Sequence, residues 1–194
     1  HKDGCSGRRV HGGNTMNNYR RLVSAALILL VGAVGVFAAN DTATHDVTMQ
    51  VLEVALIDLN DTGTITLTTT PPGAGGADVT GDSDTSKLLQ YTSLVATGVT
   101  RNITVQWGGT DAAPAGTSLL VEATSVPAGC GVAAPQVTLS SVAQNLVTTI
   151  GSCATGTGAS GAQVTFTFSV DDIPSLVVGD NKTVTVTYTL TDAA

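Results

Sequence analysis

From residue 52 onward, apolar side chains recur at every second position and threonine fills many of the positions between them. A surface helix needs apolar residues three and four apart, so this period confines the chain to strands with one buried and one wet face. Stretch 163–170 sets Val164, Phe166, Phe168 and Val170 opposite Thr165, Thr167 and Ser169, and 182–191 sets Val184, Val186, Tyr188 and Leu190 against threonines. In 101–107, Ile103, Val105 and Trp107 share a face; in 63–70, Ile65 and Leu67 alternate with threonine. Further strands are predicted at 52–59, 87–96 and 118–124, with a hairpin of two short strands, 136–140 and 146–150, around a turn at 141–144. About nine strands and no convincing helix predict an all-β fold, an antiparallel β-sandwich of immunoglobulin-like or jelly-roll-like type over residues 52–194. The segments between them (71–84, 108–116, 126–135 and 151–162) are turn-forming clusters rather than linkers between separate cores.

The N-terminal part reads differently. Residues 1–15 show no periodicity and are read as an upstream extension that is not part of the native protein. From Met16, a short basic start (Arg20, Arg21), an unbroken run of small and apolar residues from Ala25 to Phe37, and the small pair Val36 and Ala38 have the form of a secretory signal peptide over 16–38. A retained anchor is the competing reading. The 18 residues from Leu22 to Ala39 would span about 27 Å as a helix, slightly short of a hydrocarbon core of ~30 Å. A removed signal makes the mature chain secreted, extracellular or at the cell surface, and out of the membrane.

Charge narrows the partners. Residues 39–194 hold three basic side chains (Lys87, Arg101, Lys182) and fourteen acidic ones, a net charge of −11. Nucleic acid and anionic membranes both require clustered basic residues, so neither is expected as a partner. Two cysteines remain in that span, Cys130 and Cys153, and an even pair in an exported chain is most simply a disulfide. The predicted hairpin brings them opposite each other, since positions whose numbers sum to 283 face across it, 137 with 146 and 130 with 153.

Candidate sites are few. His45 is the single histidine after residue 38, which leaves no nucleophilic triad. Glu53 and Glu122 stand on predicted strands, and Asp171 and Asp172 would point to opposite faces if their strand ran through them; no enzyme is expected. Gly156, Gly158 and Gly161 match a dinucleotide fingerprint in letters, but a strand follows where a helix is required, so a loop beside the disulfide is the better reading. Asp78, Asp82 and Asp84 form an oxygen-rich cluster that is a candidate calcium site without EF-hand spacing; no other cofactor is expected. Asn40, Asn60, Asn102 and Asn181 each begin an N-x-T sequon and are glycosylation candidates. Trp107, beside two glycines at a strand end, is the plausible platform for a glycan ligand. Lys87 and Lys182 are read as exposed. The threonine faces are read as clothing of an exposed or subunit-packed sheet, in preference to an ice-binding array, which needs a repeat, or a ligand-binding sheet, which needs exposed aromatics.

A signal peptide, one small sandwich, a disulfide, few charges and no catalytic set resemble secreted pilin-like, fibre-forming subunits. Leu176, Val177, Val178 and Gly179 are similar to the leucine and glycine that plug the corner before a late strand in many such domains. The resemblance implies a structural subunit of an extracellular filament whose partners are copies of itself; the alternative is a cell-surface adhesion or carbohydrate-binding module. Residues 39–51 supply the candidate joint. Val47, Met49 and Val51 alternate with Asp46, Thr48 and Gln50, and then the phase slips, with Leu52, Val54 and Leu56 on the opposite set. One straight strand cannot keep both sets against one core. A bulge is the plain explanation; a donor strand inserted into the next subunit is the sharper one.

Overall fold

A computed structural model describes residues 42–193. The upstream extension, the signal peptide and the sequon at Asn40 lie outside the described residues. The chain divides into two units at Met49 and Gln50. In the first, Thr42–Met49 carries no helix or strand and is exposed throughout.

The second unit is an antiparallel β-sandwich. Its long strands are β1 (Val54–Leu59), β4 (Ser83–Leu94), β5 (Arg101–Trp107), β6 (Thr117–Ser125), β9 (Gln144–Ile150), β11 (Ala162–Val170) and β12 (Val186–Asp192). Five two-residue strands complete it: β2 (Thr69–Thr70), β3 (Thr80–Gly81), β7 (Val132–Ala133), β8 (Val137–Thr138) and β10 (Cys153–Ala154). One sheet has the order β1-β4-β11-β6-β8, with β10 also on β4; the other has the order β12-β5-β9-β7; β2 and β3 pair separately. The sheets bury Leu89, Tyr91, Val121 and Val164 of the first against Ile103, Val105, Leu146 and Ile150 of the second. Among the described residues no helix is long and apolar enough to cross a membrane; a single 3-10 turn, Ile173–Ser175, follows β11.

Strand β4 organises the first sheet because, at 12 residues, it is long enough to pair with three other strands. Its last six residues pair with β1, Val54 opposite Leu94 through Leu59 opposite Leu89. Its other edge is shared, with β11 on the first half and β10 on the second. The glycine loop between β10 and β11 is folded back on β4: Gln90 Nε2 donates to the carbonyls of Gly158 (2.8 Å) and Ser160 (2.9 Å). Gly156, Gly158 and Gly161 all have φ in the left-handed region, which L side chains avoid, so these glycines shape a strand-to-strand turn.

Several expectations need correction. The 136–140 and 146–150 strands do not form a hairpin. Strand β8 pairs with β6 in one sheet, and β9 pairs with β5 and β7 in the other. The chain switches sheets at Leu139, whose N–H donates to Leu119 O (2.7 Å), while Ser140 O accepts from Trp107 N (3.0 Å) across the sandwich. Leu139, 1% exposed, is the residue buried by that crossing. The cysteines are nevertheless bonded, with Cα atoms 5.4 Å apart. Cys153 stands on β10 of the first sheet and Cys130 just before β7 of the second, so the bond ties sheet to sheet rather than closing a hairpin.

The reading of Lys87 as exposed also needs correction. Lys87, Leu89, Tyr91 and Ser93 face inward, so Tyr91 belongs to the core and Lys87, 6% exposed, is buried. Ile57 and Leu59 lie opposite Tyr91 and Leu89 and pack on the core, leaving Leu56 65% exposed. The apolar set of β1 is therefore the odd-numbered one. The strand at 63–70 survives only as Thr69–Thr70, and that at 182–191 begins its ladder at Val186. The strand before Asp171 and Asp172 stops at Val170, and both N–H groups turn to Gly116 O.

Candidate functional site

The first and last strands of the sandwich, β1 and β12, are the free edges of the two sheets on one side. At one end they are drawn together by Arg101. This side chain is 5% exposed and lies on the inward face of β5. Its Nε donates to Asp192 Oδ1 (3.0 Å), its Nη1 to Val54 O (2.5 Å) and Ser93 Oγ (3.3 Å), and its Nη2 to Glu53 Oε1. The guanidinium thus takes up carbonyl, hydroxyl and carboxylate oxygens from the start of β1, the end of β12 and the end of β4.

Away from Arg101 the two edges part around a groove of about 970 Å³. One wall is residues 61–69, the other residues 176–186, and Trp107, Phe166, Phe168 and Tyr188 lie between them. Both walls keep strand periodicity. Ile65 and Leu67 are half-buried between exposed threonines, as is Val184 between Thr183 and Thr185. Neither 64–68 nor 182–184 joins a ladder. Each wall carries an ion pair, Lys87 Nζ with Asp61 Oδ2 (2.7 Å) and Lys182 Nζ with Asp180 Oδ1 (2.8 Å). These lysines hold the Asp61 and Asp180 carboxyls below the usual carboxylate range, chiefly through the side-chain hydrogen bonds they donate. Lys87 also donates to Gly63 O (2.6 Å), which fixes the course of the first wall.

The tyrosines contrast. Tyr91 OH donates to Cys130 O (2.6 Å); Tyr188 OH, on the groove side, is buried without a hydrogen-bond partner among the described residues. Burial pushes the Tyr91 hydroxyl up to about 12 and raises that of Tyr188 as well. An unfolded tyrosine ionises near pH ~10, so the stability held in the neutral buried hydroxyls is complete below that value. It is lost as pH rises through the folded values. Thermal melts should be level from about neutral pH to about pH 10 and fall from there to about pH 12, and Tyr91→Phe should make that alkaline fall shallower.

The remaining sequence candidates are scattered. Val47, Met49 and Val51 are 67%, 89% and 85% exposed, and no strand covers 42–53. Asn60 is committed to β4: its Oδ1 accepts from Leu88 N (2.6 Å) and its backbone N–H donates to Leu88 O (3.0 Å). Asn102 Oδ1 accepts from Thr149 N (3.2 Å), whereas Asn181 is exposed beside the groove. Asp82 and Asp84 cap their own loop, accepting from Ser83 N and Ser86 N, and the described residues contain no group of three His, Cys, Asp or Glu placed to hold one metal ion. Trp107 is half-buried at the floor of the groove. Glu53 is held by Arg101, and Glu122 lies on β6 across from Thr165. Leu176 is half-buried in the second wall, whereas Val177 (66%) and Val178 (104%) are exposed. Arg101 was findable from the sequence, because it shares the parity of Ile103, Val105 and Trp107.

No family model matches the chain, and no curated protein or solved structure is found to be similar to it.

Proposed function

We propose that this chain is a structural subunit of an extracellular filament or surface assembly and that it polymerises by donating a β-strand. The observation that carries this reading is the segment 42–51. It has the alternation of a half-buried strand, its apolar set of Val47, Met49 and Val51 is exposed, and it belongs to no sheet. Three large apolar side chains in a row on one face, left in water, are the mark of a surface that is covered in the working state. The phase slip no longer argues for this, since Val47, Met49 and Val51 share parity with the inward Ile57 and Leu59. Exposure and lack of pairing argue for it instead. The acidic surface, with three basic side chains in residues 39–194, suits a subunit that stays soluble until its strand is engaged.

Negative-stain microscopy of the secreted full chain is the test. Uniform filaments are expected, and deletion of residues 40–51, or Val47→Asp with Met49→Asp, should leave an exported, folded, monomeric subunit. Thr48→Asp on the opposite face should still polymerise. Filaments from the deletion variant would refute strand donation, and monomers of the intact chain that bind a glycan through Trp107 would favour the adhesion or carbohydrate-binding alternative.

A further inference from the structure

We propose that the strand is received by the groove between β1 and β12 of a second copy of this chain, with residues 42–51 as the inserted strand; this rests on the strand-donation reading above. Three stretches of the described residues alternate like strands and yet join no ladder: 42–51, 64–68 and 182–184. The last two are the opposing walls of one groove. A main chain laid between them would supply the missing ladder partners, since unpaired strand edges are satisfied by another strand.

The other side of the sandwich holds a smaller pocket, about 570 Å³, lined by Ala133, Pro135, Val137, Gln144 and Thr148, and it is bridged by chain. There the chain itself crosses from β7 in one sheet to β8 in the other, and Leu139 and Ser140 bond to opposite sheets. The β1/β12 side is held at one end by Arg101, and beyond it residues 61–69 and 176–186 line the groove.

Chemistry on the two sides matches. Val47, Met49 and Val51 would meet Ile65, Leu67 and Val184 over a floor of Trp107 and Phe168, with Met49 able to fill an irregular gap. Charge agrees as well. Residues 41–53 carry Asp41, Asp46 and Glu53 and no Lys or Arg. On a chain this acidic, the groove is a neutral region, its two aspartates each paired with a lysine, and half of the Lys182 side chain remains exposed to meet an incoming carboxylate. The occupant is a second copy because the strand-like segment that joins no sheet, 42–51, belongs to this same chain and is exposed at every residue; an arm folded into its own groove would give no cross-link between two separately labelled batches.

Site-specific cross-linking of full-length secreted protein decides the matter. One batch carries Met49→Cys and a second Val184→Cys; mixed and oxidised, they should form a covalent dimer band. That band should be lost when the second batch carries Val137→Cys, on the opposite side of the sandwich, and also when residues 40–51 are deleted from the first. Separately, Val184→Arg should abolish filaments while leaving the melting temperature of the monomer in place. Filaments that require residues 40–51 but give no Met49–Val184 link, or link instead to Val137→Cys, would overturn the groove as receiver and leave strand donation standing. Filaments that form without residues 40–51 would remove both.

Discussion

Replacing Arg101 with methionine should lower the free energy of unfolding by about 3 kcal/mol, read as a lower urea midpoint at unchanged slope. The loss does not come from the ion pairs as such. Glu53 and Asp192 are 64% and 72% exposed at the side chain and recover water when the guanidinium goes, so each pair contributes little. It comes from the buried side of the cluster. The Ser93 hydroxyl, with the residue 0% exposed, loses its guanidinium partner, as do the carbonyls of Val54 and Leu94, and a methionine stem cannot serve them. Glu53→Gln should cost well under ~1 kcal/mol by comparison, because that partner is wet. Equal effects of the two substitutions would mean that the carboxylate, not the buried oxygens, carries the cluster.

Removing the disulfide by Cys130→Ala with Cys153→Ala should cost a further ~3 kcal/mol, the chain-entropy value for a loop of this length. The sequence separation is 23 residues, and that loop contains the whole crossing from one sheet to the other, including β7, β8 and β9. Without the bond, β7 and β10 are two-residue pairings at the periphery of different sheets and have little else to hold them. The double variant should therefore melt earlier and lose amide protection first in 130–138 and 152–155, with β5 and β11 protected longest. A uniform loss of protection across both sheets would show that the bond acts on the unfolded chain alone.

Strands whose two faces see different surroundings were readable almost to the residue. Stretch 101–107 coincides with β5, and 163–170 differs from β11 by one position. Where both faces are half covered, the alternation loses its meaning. On β4, Leu88 and Leu94 fall on one parity and Leu89 and Tyr91 on the other, and the inner set includes Lys87 and Ser93, so hydrophobicity pointed to neither face. Periodicity also says nothing about partners. It marked 136–140 and 146–150 as extended but could not show that Leu139 carries the chain between sheets, and it gave 63–68 the form of a strand without revealing that no neighbour pairs with it. The candidate site divides the same way. The apolar row at Val47, Met49 and Val51 was visible in the letters, while the groove is built from residues as distant as Ile65, Trp107 and Val184, which only the folded topology brings together.

The Arg101 cluster also sets an order of events. Its ligands lie 48 residues before it, at Glu53, and 91 residues after it, at Asp192. Such distant pairings form late, since loop closure must be met before they contribute. As the chain leaves a ribosome or an export channel, the first strand can settle on β4 early, but the end that Arg101 ties cannot close until β12 has emerged. For that interval the edge of β1 and the inner face of β5 are both open to neighbours. A growing chain of this design is most vulnerable to wrong pairing in its last stage of synthesis, and the residue that ends the danger has been waiting, already in place, since the middle.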